Sequence, residues 1–175
     1  RYASVYCGLK AVNQADYVLI HDGARPMINR ELIKQCILNV MEYRACVVGM
    51  PSKDTIKIVD QRNYAIHTPE RKTLWQVQTP QCFEYSLVMN AYQKLMESGA
   101  TNATDDAMVV ETYAKVPVKL IEGGYDNIKI TTPEDVRIAG SLMKARKVLR
   151  VLHRIHDKVI YAQMQVFKRH QKRKK

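Results

Sequence analysis

The chain is 175 residues long, 46% hydrophobic and 26% charged, a length and balance that suit one packed domain. No apolar run approaches the ~20 residues needed to span a bilayer. The formal net charge of +11 belongs to the end of the chain: residues 1–143 hold 16 basic and 16 acidic side chains, while residues 144–175 hold 12 basic and one acidic. The body is therefore not a globally basic nucleic-acid-binding domain, and no specific nucleic-acid recognition is expected.

The chain opens Arg1-Tyr2-Ala3-Ser4, with neither an initiator Met nor the apolar run of a signal peptide, so a processed or partial chain is expected. Val5, Leu9 and Val12 fall on one side of a short helix. Tyr17-Val18-Leu19-Ile20 is a continuous apolar run ending at His21-Asp22-Gly23, the pattern of a parallel strand covered on both faces. From Asn29 onward, Leu32, Ile33, Cys36, Ile37, Val40 and Met41 mark a helix with a broad apolar face. Ala45 to Met50 reads as a second buried strand, closed by Pro51. Strand, helix and strand with short joints predict an α/β sheet.

Thr55 to Asp60 then alternate, turn at Gln61-Arg62-Asn63 and resume over Tyr64–His67, which predicts an exposed hairpin arm (about residues 52–77). A helix follows over about Glu84–Glu97, and another opens at Thr104-Asp105-Asp106 with Thr104 as cap. Val118–Ile121 and Asn127–Ile130 read as short strands. Thr132-Pro133-Glu134-Asp135 starts the last helix of the body, with Pro at its first position. Beyond residue 144, Val148, Leu152, Ile155 and Val159 keep helical spacing among many Lys and Arg, predicting a basic amphipathic helical tail. Packing on the body, an anionic membrane surface and nucleic acid are all open to it. Cys7, Cys36, Cys46 and Cys82 include no CxxC pair and read as small apolar core residues of a reducing compartment.

Asp22 follows a strand end, the edge of an α/β sheet where ligands bind. With Arg25 it suits Mg²⁺ or ligand hydroxyls beside a phosphate; plain Asp-Gly turn chemistry explains it as well. Arg71 suits bidentate phosphate binding and Thr79 suits hydroxyl donation, while Trp75 reads as a core anchor. Lys129, on the open side of a half-buried strand, suits charge growing on a phosphorus centre or a solvated surface.

Asp22-Gly23-Ala24-Arg25-Pro26, Lys53-Asp54-Thr55-Ile56-Lys57, the Thr68–Gln81 stretch, Thr104-Asp105-Asp106-Ala107 and Asp126-Asn127-Ile128-Lys129-Ile130-Thr131 together resemble the 2-C-methyl-D-erythritol 4-phosphate cytidylyltransferases of the non-mevalonate isoprenoid pathway. The resemblance runs from Arg1 to about Met143 and leaves the tail uncovered. Ribitol-5-phosphate cytidylyltransferase shares two of the blocks and is the alternative within the same chemistry. A non-catalytic remnant with a polyanion-binding tail is the alternative outside it.

The resemblance implies a nucleotidyltransferase-type, Rossmann-like, mostly parallel sheet and a cytoplasmic or plastid-type homodimer whose arm reaches the neighbouring subunit. The implied reaction joins CTP and a polyol phosphate with Mg²⁺ bound, releasing pyrophosphate. It further implies Lys129, Arg71 and Asp22 as catalytic residues, with Asp22 at the metal. Arg25, Thr55, Thr79 and Thr104 are implied to bind substrate, and Ser4 and Arg1 the nucleotide. Such enzymes begin with a strand and a Gly-rich triphosphate loop, which are not found ahead of Ser4. The chain by itself is therefore expected to bind CTP poorly and to be inactive.

Overall fold

The computed structural model describes residues 2–148. The expected nucleotide contact at Arg1 and the predicted tail beyond Val148 lie outside them. The chain divides into two compact units, residues 1–129 and residues 130–175.

The first unit is built on a four-stranded mixed sheet, ordered β1 (Tyr17–Ile20), β5 (Trp75–Glu84), β2 (Ala45–Pro51) and β6 (Lys119–Glu122). β5 runs antiparallel to both β1 and β2, and β2 runs parallel to β6. Three of the four strands thus point the same way, as the α/β pattern predicts. The reversed strand β5 is the feature the pattern did not reveal.

Side-chain alternation along β2 divides the core into two layers. Ala45 and Val47 join Phe83, Val88, Tyr92 and Val109 on one face. Cys46 and Val48 join Leu32, Cys36, Val40 and Ile121 on the other. Helices α1 (Tyr2–Ala11) and α3 (Tyr85–Ser98) cover the first face, and α2 (Arg30–Tyr43) covers the second. Full burial of a side chain such as Phe83 or Leu95 contributes about 1.5–3 kcal/mol.

α2 starts where the sequence predicts: the Asn29 side chain accepts the Leu32 N–H at 2.9 Å. It ends at Arg44, in the left-handed conformation at φ 64°, whose N–H bonds to Val40 O. The arm is a short antiparallel hairpin, β3 (Ile58–Val59) with β4 (Ala65–His67), turning through Asn63 at φ 65°. Its residues are exposed throughout.

Several expectations are corrected. Tyr17–Ile20 is a strand, but it is half-buried and, among the described residues, pairs only with β5, so it is not a strand covered on both faces. Asn127–Ile130 forms no strand, because Asn127 turns its N–H back to Gly124 O and spends its side chain on β5. Asp105, not Thr104, caps α4 (Asp106–Val109): its carboxylate accepts the Met108 N–H at 2.8 Å, and an acid suits that helix end better than a hydroxyl. α4 continues into one π-helical turn, Val110–Ala114. Trp75 is 36% exposed at the start of β5 rather than a core anchor. Cys7 is exposed on α1, whereas Cys36, Cys46 and Cys82 are free and buried together. The neighbouring thiols of Cys36 and Cys46, together with burial, push the Cys82 thiol upward in pKa.

In the second unit, residues 133–148 are helical and begin with a reciprocal cap. Asp135 accepts the N–H groups of Thr131 and Thr132 at 2.9 and 2.8 Å, and Thr132 Oγ1 accepts the Asp135 N–H at 3.3 Å. These bonds favour the charged carboxylate and hold its pKa at about 2, below its ordinary 3.8. The folded-state value is depressed, so the stabilisation is complete above the ordinary value and disappears as pH falls through about 2. The protection of the amides over residues 134–137, with the intrinsic pH dependence of exchange divided out, should therefore be constant above the ordinary value and fall on acidification, and Asp135→Ala should lose that protection at every pH.

Candidate active site

The site is made by an irregularity in β5. Val47 pairs with Gln81 and Gly49 with Val77, so β5 spends four residues where β2 spends two. The excess forms a bulge at Gln78-Thr79-Pro80, which also contains a cis peptide bond between Thr79 and Pro80. A bulge re-aims the side chains of its strand. Here Gln78 and Thr79 are aimed between the turn after β1 and the loop after β6.

Asn127, 1% exposed, holds these three segments together. Its side-chain amide donates to Gln78 Oε1 at 3.1 Å and to Thr79 O at 2.9 Å. Its backbone carbonyl accepts from Arg25 Nη1 at 2.7 Å. Gln78 Nε2 in turn donates to Gly124 O at 3.0 Å. Gly123 closes the junction: a Cβ there would lie 2.4 Å from Val48 Cγ1 and 2.9 Å from Gln78 Oε1.

The turn after β1 is fastened by its own side chains. Asp22 N–H donates to Thr79 Oγ1 at 3.1 Å. His21 Nε2 lies 3.0 Å from Arg25 O and its Nδ1 lies 3.0 Å from Thr79 Oγ1. A carbonyl only accepts, so Nε2 carries the proton, and in the neutral ring Nδ1 accepts from the Thr79 hydroxyl. With the ring in that form Thr79 spends its proton on His21 and faces the cavity as an acceptor.

The result is an open cavity of about 360 Å³ lined by Asp22, Arg25, Val77, Gln78, Thr79, Gln81, Thr104, Asp105 and Lys129. Lys129 Nζ stands 3.1 Å from Asp22 Oδ2, and Arg25 Nε stands 3.6 Å from the same oxygen. Burial pulls the Arg25 guanidinium below its usual pKa, while the charge of Asp22 opposes that shift. The Nε of Arg25, 3.6 Å from Asp22 Oδ2, is buried without a hydrogen-bond partner, so whatever this side chain offers a ligand lies on its Nη atoms. Two cations, two carboxylates and several hydrogen-bonding groups in one cleft suit a ligand that carries both a phosphate and hydroxyls.

Five of the expected site residues, Asp22, Arg25, Thr79, Thr104 and Lys129, thus meet at one cavity. Thr55 and Arg71 do not line it. Both are exposed, Thr55 in the segment leading into the arm and Arg71 in a 3₁₀ turn after it, where its Nη1 reaches Lys53 O at 3.3 Å. Ser4 is exposed on α1 and is likewise not a lining residue. His21, Gln78, Gln81, Asp105 and Asn127 were given no site role from sequence. The last four lie within the motif blocks that carry the family resemblance, and Gln78-Thr79-Pro80-Gln81 also stands out as a polar run directly before the apolar Cys82-Phe83.

The family model described as "IspD: 2-C-methyl-D-erythritol 4-phosphate cytidylyltransferase" matches residues 1–145. The chain belongs to this family. A relative named 2-C-methyl-D-erythritol 4-phosphate cytidylyltransferase from Lachnospira eligens is 52% identical over 145 residues, covering 82% of this chain and 64% of the relative. One of the same name from Alkaliphilus oremlandii is 50% identical over 148 residues, covering 84% of this chain and 62% of the relative. Among solved structures, a 4-diphosphocytidyl-2C-methyl-D-erythritol synthase from Anaerococcus prevotii superposes with a TM-score of 0.77 at 38% identity, covering 82% of this chain and 64% of that one. The Thermus thermophilus 2-C-methyl-D-erythritol 4-phosphate cytidylyltransferase gives 0.73 at 33%, covering 82% and 69%. The chain thus spans somewhat under two thirds of the length of these curated relatives. Among the described residues no helix is long and apolar enough to cross a membrane.

The junction at Gly123 makes a direct test of this geometry. Gly123→Ala should destabilise the protein by about 1–3 kcal/mol, the usual cost of overpacking. It should also perturb the Gln78 and Thr79 amide resonances, as read by thermal unfolding and by NMR.

Proposed function

We propose that this protein serves the cytidylyltransferase reaction, in which the 4-phosphate of 2-C-methyl-D-erythritol 4-phosphate attacks the α-phosphorus of CTP and releases pyrophosphate. The observation that supports this most is the meeting of Asp22, Arg25, Thr79, Thr104 and Lys129, drawn from four separate stretches of the chain, at one cavity. The names of the relatives favour methylerythritol phosphate over ribitol phosphate.

In this reading Arg25 binds a phosphate through Nη donors other than the one given to Asn127. Lys129, whose side chain is 44% exposed toward solvent and braced by Asp22, stabilises the negative charge that grows on the five-coordinate phosphorus. Thr104 and Thr79 line the polyol pocket, Thr79 as an acceptor. Ser4, with Arg1, contacts the nucleotide. Thr55 and Arg71 bind the substrate phosphate of a neighbouring subunit, and the exposed apolar residues of the arm, Ile58, Val59, Tyr64 and Ile66, support its docking against a second copy. A cytoplasmic or plastid-type compartment suits such a soluble substrate pair. The predicted basic tail is assigned to an anionic surface.

A divalent cation fits the donors present in a limited way. Among the described residues no three His, Cys, Asp or Glu side chains group to hold a metal. Mg²⁺ commonly takes one or two carboxylates together with substrate phosphates and water. Asp22 is the residue that would hold it, and the ion would supply charge neutralisation of the polyphosphate.

Pyrophosphate release by the native protein from CTP and methylerythritol phosphate tests the reaction. Lys129→Met should lower kcat by about 10²–10³-fold, the usual loss on removing a charge-stabilising group, with unfolding behaviour unchanged. No turnover with methylerythritol phosphate, or an unaffected kcat in the variant, would refute this reading.

A further inference from the structure

The cavity contains two carboxylates, and they are not equivalent. Asp22 is engaged by Lys129 and Arg25. Asp105 has no cation partner among the described residues, yet it is held by both oxygens. Its Oδ1 accepts the Met108 N–H at 2.8 Å, and its Oδ2 accepts from Gln81 Nε2 at 3.0 Å. Gln81 is 1% exposed and cannot turn its amide over, because its Oε1 accepts the N–H groups of Asp106 and Ala107, each at 2.9 Å. The amide is thereby oriented with its donor toward Asp105. A carboxylate offers about four lone-pair sites, so two remain on an oriented, half-buried anion at the cavity wall.

Such a group repels phosphate and favours a neutral hydroxyl donor. We propose that Asp105 is a specificity-determining residue that accepts a hydroxyl from the polyol end of the substrate, with Gln81 as its positioning residue. The proposal rests on the polyol-phosphate reading above and adds the division of the cavity into two ends. Arg25 and Lys129 take the phosphate, and Asp105 reads the polyol. The same carboxylate would disfavour a sugar acid presenting an anion at that end.

Asp105 also caps α4, and the experiment must separate the two roles. Ser and Asn cap helices about as well as Asp, so Asp105→Ser and Asp105→Asn keep the cap and remove the charge. Binding to the native full-length protein and to both variants would be measured for three probes in the presence of an unreactive CTP analogue: methylerythritol phosphate, its singly deoxygenated analogues, and inorganic phosphate. Asp105→Ser should weaken methylerythritol phosphate by about ten- to a hundredfold, the loss of one charge-assisted hydrogen bond, and Asp105→Asn, whose amide nitrogen would face the Gln81 Nε2 donor, should weaken it at least as much. The affinities for inorganic phosphate and for the CTP analogue should be unchanged. One deoxy analogue should bind the native and variant proteins equally.

Equal losses for inorganic phosphate and the polyol phosphate would overturn the proposal. So would unchanged polyol affinity in both variants, or the full effect persisting in every deoxy analogue. If the binding pattern holds but no pyrophosphate is released with CTP, the role of Asp105 stands and the reaction reading falls. Normal turnover with no variant effect on the polyol gives the reverse. A native protein that does not bind the polyol phosphate overturns both.

Discussion

The site depends on one buried amide. Asn127 bonds through its side chain to the bulge of β5, 48 and 49 residues away, and through its backbone to Arg25, 102 residues away, so that three distant chain segments meet. A buried polar group left without partners costs about 1–3 kcal/mol; both bonds of the Asn127 side chain are made by its Nδ2, while its Oδ1 is buried without a partner. Two residues beyond Asn127, Lys129 brings its Nζ to 3.1 Å from Asp22 Oδ2. The irregular backbone from Gly123 to Lys129 follows from this: a regular strand would aim Asn127 into the sheet ladder rather than at β5.

The bulge is the complementary half of the arrangement. A regular antiparallel strand would turn alternate side chains of β5 into the two core layers, as Cys82 and Phe83 do. Two extra residues break that alternation at Gln78-Thr79-Pro80 and bring polar groups to the end of a sheet that is apolar along most of its length. The side chains so placed have partners: Gln78 bonds to Gly124 and Asn127, Thr79 to Asp22 and His21, and Gln81 to Asp105 and the first turn of α4, while Arg25 Nε and Asn127 Oδ1 remain buried without one. Buried networks of this kind are stabilising only when nearly complete. The cavity can then present charge and acceptors in fixed directions, which is what charge stabilisation and hydroxyl recognition both need.

The arm is of another kind. Tyr64 and Ile66 are 71% and 66% exposed, and a two-stranded hairpin of five residues is not stable on its own account. A sequence that places apolar side chains on such an element is consistent with burial against something else. In the proposed function that surface is a second subunit, and the arm brings Thr55 and Arg71 to a cavity they do not line within their own chain.

Local pattern sufficed where the physics was local. Helical spacing marked α1, α2 and α3, Asn29 announced its cap, and the apolar run from Ala45 placed β2, because each depends on residues within a turn or a strand of one another. The ordered motif blocks indicated the family and five of the cavity's residues. The tertiary structure decided what depends on partners far along the chain. Asn127–Ile130 alternates like a strand, yet its amide finds better partners on β5. Trp75 has the composition of a core anchor, yet lies at a strand end. Gln81 and Asp105 look ordinary until a buried amide, held in one orientation by two backbone N–H groups, turns a helix cap into an oriented acceptor. Hydrophobic periodicity is written residue by residue, whereas hydrogen-bond complementarity between distant segments exists only once the chain has brought them together.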